Sequence, residues 1–93
     1  MTPDRRERAR ALVLAALSEV EAELREPSLP LGAGELGTCR ETLRGYLAAL
    51  EVGELPPRRE RPEGLGRLVL DSWPYDLPLA RAVLQAERAW RNA

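Results

Sequence analysis

The sequence predicts an all-α fold, a small bundle of three to four helices forming one domain over residues 1–93. Two observations point to this class. Apolar residues recur at spacings of three and four along several segments, and stretches rich in proline and glycine separate those segments. Apolar residues make up 44% of the chain and charged residues 31%, with a net charge of −1, which is typical of a globular protein.

The first predicted helix is long and covers about residues 3–26. Thr2 is a candidate N-cap, Pro3 suits the first helical position, and Pro27 ends the helix. Residues 11–17 are apolar nearly all round the helix, so it is expected to be buried on several sides. Because the other predicted helices are too few to cover so much apolar surface, we expect self-association, and a two-fold dimer is the commonest arrangement.

The second predicted helix is central and covers about residues 36–52. Its start is open between Gly34 and Thr38: Thr38 begins a capping-box pattern, whereas Leu36 is already in register with the apolar face. Gly53 is expected to end the helix in the left-handed conformation.

This second helix has two faces that predict packing. One face carries the leucines, with Cys39 and Tyr46 among them. The opposite face is small or β-branched, and glycine inside a helix costs about 1 kcal/mol relative to alanine. We therefore expect another helix to approach closely there, so that this helix is sandwiched between partners, and Gly45 and Ala49 are candidate residues of a partner surface.

A polar linker at 53–62, extended by its two adjacent prolines, leads to a short third helix at about 63–72. Its apolar positions Leu65 and Leu68 lie at helical spacing. A short strand at 67–71 is the weaker alternative, because the sequence offers no second strand to pair with it.

A corner with the sequence WPYDLP leads into the last, C-terminal helix, which covers about residues 77–91. Asp76 is its expected N-cap, and Pro78 is tolerated in the first turn. Trp73 and Tyr75 also belong to the corner. Buried aromatic residues are usually core, but Trp and Tyr are enriched at binding hot spots, so an exposed Trp73 or Tyr75 is a candidate partner surface.

No enzyme motif agrees with its sequence context. The chain has no His and no Lys, which removes the commonest general base and the Schiff-base amine. Gly32–Gly37 matches G-x-G-x-x-G, but Pro30 and the missing strands argue against a dinucleotide fold, leaving open only an anion site at 32–38. Cys39 lies on an apolar stripe and is expected to be a buried, structural thiol. We expect a protein that is not an enzyme and that has no cofactor or metal.

The alternative function is nucleic-acid binding, because the last two helices have the outline of a helix-turn-helix. The candidate contacts are arginines of the linker and polar residues on one stripe of helix 4: Arg58, Arg59, Arg61, Arg81, Gln85 and Arg88. Interspersed glutamates and the slightly negative net charge argue against it. The favoured interpretation is a non-catalytic protein-interaction or regulatory module that binds a second copy of itself or another protein.

Composition also bears on location and source. No segment is apolar enough to span a membrane, no signal-like cleavage site follows the N-terminus, and the single cysteine has no partner. These features predict a cytoplasmic protein. All 14 basic residues are arginine, which is typical of a GC-rich genome, and the scarcity of Asn, Gln, Cys and Met is thermophile-like.

Overall fold

The computed structural model describes residues 4–60, 64–74 and 76–93, without the side chains of Arg58 and Leu70. Four helices form the fold, and no strand occurs in the described ranges, which confirms the all-α prediction. The helices are α1 (Arg5–Arg25), α2 (Ala33–Val52), α3 (Gly64–Ser72) and α4 (Pro78–Asn92).

α1 begins where Asp4 caps it. The Asp4 Oδ1 atom accepts a hydrogen bond of 2.8 Å from the backbone N–H of Glu7, and Asp is among the best N-cap residues. The helix therefore starts two residues later than predicted. The predicted cap, Thr2, and Pro3 lie outside the described residues.

α2 begins at Ala33, three residues before the predicted start, with Gly32 at the N-cap position. The capping box at Thr38 is wrong, because the Thr38 hydroxyl donates inside the helix to the carbonyl of Gly34 at 3.1 Å. With α2 beginning at Ala33, Leu36 lies in the core and is 2% exposed. Gly53 ends the helix with φ +83°, which confirms the prediction of a left-handed glycine.

The third and fourth helices are close to their predicted ranges, and the strand alternative at 67–71 is wrong because α3 is helical there. Asp76 does not cap α4. Leu77 takes the N-cap position without a side-chain hydrogen bond, and Pro78 fills the first turn, where the missing N–H needs no partner. The predicted extended linker contains a 3-10 turn at Arg58–Glu60.

α1, and not α2, is the helix with large partners on two sides. It packs against α2 and α4, while α3 packs against α4 and more lightly against α2. α1 has two large partners because one of its faces is a continuous row of fully buried core residues: Ala9, Val13, Ala16 and Val20. The prediction that α2 is sandwiched by two helices is therefore corrected: its one large partner is α1.

Candidate functional site

The corner before α4 does not offer an exposed tryptophan. Trp73 is 4% exposed, and its Nε1–H donates to Oε2 of Glu35, in the first turn of α2, at 2.9 Å. The ring thus fills the core and has its polar atom satisfied, which leaves nothing of it for a partner. Tyr75, the other candidate, lies outside the described residues.

The small face of α2 is open rather than covered. Gly45 is exposed, and a Cβ atom built on it would meet nothing within 4 Å, so none of the helices in the described ranges approaches closely there. Ala49 is half-buried against the core, and Val52 is 69% exposed. Within the described residues Val52 is the only large apolar side chain so exposed.

The outward side of α1 carries no charge over two turns. Residues 11–18 contain no ionisable group, and Ala11, Ala15 and Ser18 are exposed while Leu14 is half-buried. We call these outward residues the uncharged girdle of α1. It persists although α1 already packs against two helices on its other sides.

One end of the groove between α1 and α4 is basic. An opening of about 410 Å³ is lined from α1 by Arg5, Arg8 and Leu12, and from α4 by residues that include Gln85 and Arg88. Arg5, Arg8, Gln85 and Arg88 are all exposed. The three arginines make no ion pair with any described residue. The fold therefore brings two predicted nucleic-acid contacts of α4, Gln85 and Arg88, beside Arg5 and Arg8 of α1.

The remaining predicted contacts are not part of this opening. Arg81 is exposed on the same side of α4, closer to its N-terminus, and Arg59 is exposed in the 3-10 turn. Arg58 has its backbone in that turn, and its side chain is outside the description. Arg61 lies outside the described residues.

The other end of the α1 and α4 groove is acidic. Glu19, Ala22 and Glu26 line it from α1, and Pro78 and Leu79 line it from α4. Glu19 and Glu26 are exposed and have no ion pair within the described chain. The two ends of one groove thus carry opposite charges. The α1 residues along it recur at spacings of three and four, and we call them the α1 stripe: Arg5, Arg8, Leu12, Ala15, Glu19, Ala22 and Glu26.

Glu23, beside the stripe, is buried and serves the loop that follows α1. Its carboxylate accepts from the N–H of Leu29 at 2.7 Å, and from the N–H and the hydroxyl of Ser28, both at 2.9 Å. Above all the hydrogen bond from the Leu29 N–H, and then that from the Ser28 N–H, lower the pKa of Glu23. Glu23 is therefore a capping group and not a free charge of the acidic end.

A second buried carboxylate joins three helices. Glu87 of α4 is 5% exposed and accepts hydrogen bonds of 2.9 Å from the Tyr46 hydroxyl of α2 and from the N–H groups of Leu65 and Gly66 at the start of α3. The Tyr46 ring also stacks on Trp90, with centroids 4.6 Å apart. Burial, and then the Glu87 hydrogen bond, raise the pKa of Tyr46. The cluster holds the three helices together.

Cys39 is fully buried, as predicted. Burial, and then the charge of Glu87, raise the pKa of its thiol to about 12, so the nucleophilic thiolate is scarce at neutral pH. Across the described ranges, no three His, Cys, Asp or Glu side chains come together in a way that suits a metal ion. The segment 32–38 is not a loop, because α2 already begins at Ala33.

Comparison with known protein families, with curated proteins and with solved structures finds no match to this chain. In the described part of the chain, every helix is too short or too polar to cross a lipid bilayer. The candidate site rests on the geometry alone. It consists of the uncharged girdle and the α1 stripe, with the α4 residues that border the stripe.

Proposed function

We propose that this chain is a non-catalytic helical module that acts through protein–protein contacts, first of all with a second copy of itself. The uncharged girdle of α1 is the observation that carries the proposal. Charged residues make up 31% of the chain, yet two outward turns of its longest helix, including the exposed Ala11 and Ala15, have none. The centres of protein–protein interfaces are depleted in charged residues, which supports a partner on this uncharged face.

The state of the reactive side chains supports the non-catalytic part of the proposal. The Cys39 thiol is buried and has a raised pKa, and the Glu87 carboxylate is occupied by three donors. A general base has to reach a substrate proton, and a nucleophile has to reach a substrate atom. Neither group has the exposure that such a step requires.

Sedimentation velocity, together with light scattering, tests self-association from low to high micromolar concentration. We expect a dimer that dissociates on dilution, and Ala15→Glu should shift it to monomer because a charge would be buried in the contact. Ala33→Glu is the matched control, since Ala33 is an exposed alanine at the start of α2, outside the girdle. A chain that stays monomeric at every concentration would overturn the proposal.

Nucleic-acid binding is the second candidate function, and the basic end of the groove favours it. Arg5, Arg8 and Arg88 line one opening with Gln85, and arginine and glutamine are suited to phosphates and base edges. Fluorescence anisotropy with duplex DNA tests it across a salt series. A binder that neutralises several phosphates loses affinity steeply with salt, and Arg88→Glu should abolish the signal. No binding at low salt would end this candidate.

A further inference from the structure

We infer that two copies of this chain associate antiparallel along the α1 stripe, with the arginine end of each copy facing the glutamate end of the other. The inference rests on the proposed self-association and adds its surface and its orientation. The surface is the α1 stripe with the α4 residues that border it, and the occupant is a second copy of the same chain.

Both ends of the α1 stripe carry charged side chains that form no ion pair with a described residue. At the basic end, Arg5 and Arg8 are joined by Arg88 of α4, and at the acidic end Glu19 and Glu26 are exposed. None of these five side chains forms an ion pair with a described residue, whereas Arg40, Arg44, Glu21 and Glu41 do. Complementary charges that pair with no described residue of this chain are available to a second copy.

The order of the charges decides the orientation. A parallel arrangement would place arginine on arginine and glutamate on glutamate, which is repulsive at both ends. An antiparallel pair needs a two-fold axis that crosses α1 between Leu12 and Ala15. Arg8 and Glu19 then lie about 8 Å from the axis on opposite sides, at 1.5 Å per residue, so each faces its opposite in the other copy.

The middle of the stripe allows close approach. Leu12 is half-buried and Ala15 is exposed, and both are uncharged. Apolar residues spaced three and four apart are typical of the contact between two paired helices. A leucine and an alanine at the axis let two helices approach each other, while the longer arginine and glutamate side chains reach across at the ends. The contact would also cover Leu12 more fully than this chain does alone.

A charge swap tests the arrangement by sedimentation equilibrium at low salt. Arg8→Glu and Glu19→Arg, each alone, should weaken the dimer about tenfold or more, because a two-fold axis doubles every changed contact. The double variant Arg8→Glu/Glu19→Arg should return the dissociation constant to near the wild-type value. Arg10→Glu and Glu51→Arg are controls that change the net charge equally, at exposed positions away from the stripe. Circular dichroism checks that each variant keeps its helix content.

The outcomes separate the two proposals. A wild-type chain that is monomeric throughout removes the proposed self-association, and this inference with it. A stable dimer that tolerates both single reversals overturns the inference alone, since the contact then lies elsewhere on the molecule. If both single charge reversals weaken the dimer and the double variant does not recover the wild-type dissociation constant, the antiparallel orientation is overturned. A Glu19→Arg variant that binds duplex DNA more tightly than wild type and still dimerises normally assigns the groove to nucleic acid.

Discussion

Replacing Glu87 by glutamine should destabilise the protein far more than a change of one atom suggests. The Oε2 atom accepts from the Tyr46 hydroxyl and the Leu65 N–H, and the Oε1 atom accepts from the Gly66 N–H, all at 2.9 Å. A glutamine can keep only one acceptor oxygen. If that oxygen takes the Oε2 position, the amide NH₂ meets the Gly66 N–H, so two donors face each other.

The magnitude follows from those contacts. A hydrogen bond to a charged group contributes about 1.5–3 kcal/mol, and one such bond is lost at Gly66. The carboxylate also lies at the N-terminus of α3, where a negative charge contributes about 0.3–2 kcal/mol. The free energy of unfolding should therefore fall by about 2–5 kcal/mol, which lowers Tm by at least about 8 °C in a domain of this size.

Urea titration at a fixed protein concentration measures the change, because self-association makes stability depend on concentration. Glu51→Gln is the matched control: Glu51 is exposed and makes no hydrogen bond or ion pair with the described residues, so its change should stay within about 0.5 kcal/mol. Amide exchange should also accelerate most at Leu65 and Gly66. A Glu87→Gln variant as stable as the control would refute the capping argument.

Three further predictions concern two glycines, the cysteine and the second buried glutamate. Gly45→Ala should raise the free energy of unfolding by about 1 kcal/mol, because a Cβ there meets nothing within 4 Å. Gly66→Ala should lower the free energy of unfolding, because its Cβ would lie 3.1 Å from Oε1 of Glu87. Urea titration of the two variants measures both changes. The Cys39 thiol should resist a thiol reagent at pH 8 until denaturant unfolds the chain, and rapid native labelling would contradict its burial. Folding lowers the pKa of Glu23, so the Glu23 carboxylate stabilises the fold above the ordinary glutamate pKa of about 4.3, and this stabilisation is lost as the pH falls. When the free energy of unfolding is measured against pH, Glu23→Gln should therefore show a smaller loss of stability on the acid side.

Most of the helical structure could be predicted from the sequence because apolar periodicity is a local signal. Of the two ends of α2, the C-terminal end could be predicted from the sequence and the N-terminal start could not. Gly53 was found because only glycine readily takes the left-handed end of a helix. The start at Ala33 could not be predicted, because residues 33–35 carry no apolar periodicity and Gly32, at the N-cap position, has no side chain that could mark it as a cap.

Only part of the candidate site could be predicted from the sequence. The uncharged girdle at 11–18 can be found by inspection, since it needs one helix alone. The α1 stripe is also periodic, but its basic end forms only where Arg88 of α4 lies beside Arg5 and Arg8. Arg88 is about eighty positions from these two arginines in the sequence, and only the tertiary fold brings the three together. The predicted contact surface at Trp73 failed for the same reason, because its partner, Glu35, lies in another helix.

The glutamates that accept hydrogen bonds inside the fold reflect the chain's unusual composition. The sequence has no His and no Lys, and Asn and Gln occur once each, so few neutral polar side chains are available to satisfy buried donors. Glu23, Glu35 and Glu87 accept hydrogen bonds from a loop backbone, an indole N–H and a helix start. Glu23 and Glu87 also stand in segments that contain arginines and other, exposed glutamates, so sequence spacing does not distinguish them. Only the packing of the helices therefore separates the glutamates that hold the fold together from those, such as Glu19, that are exposed.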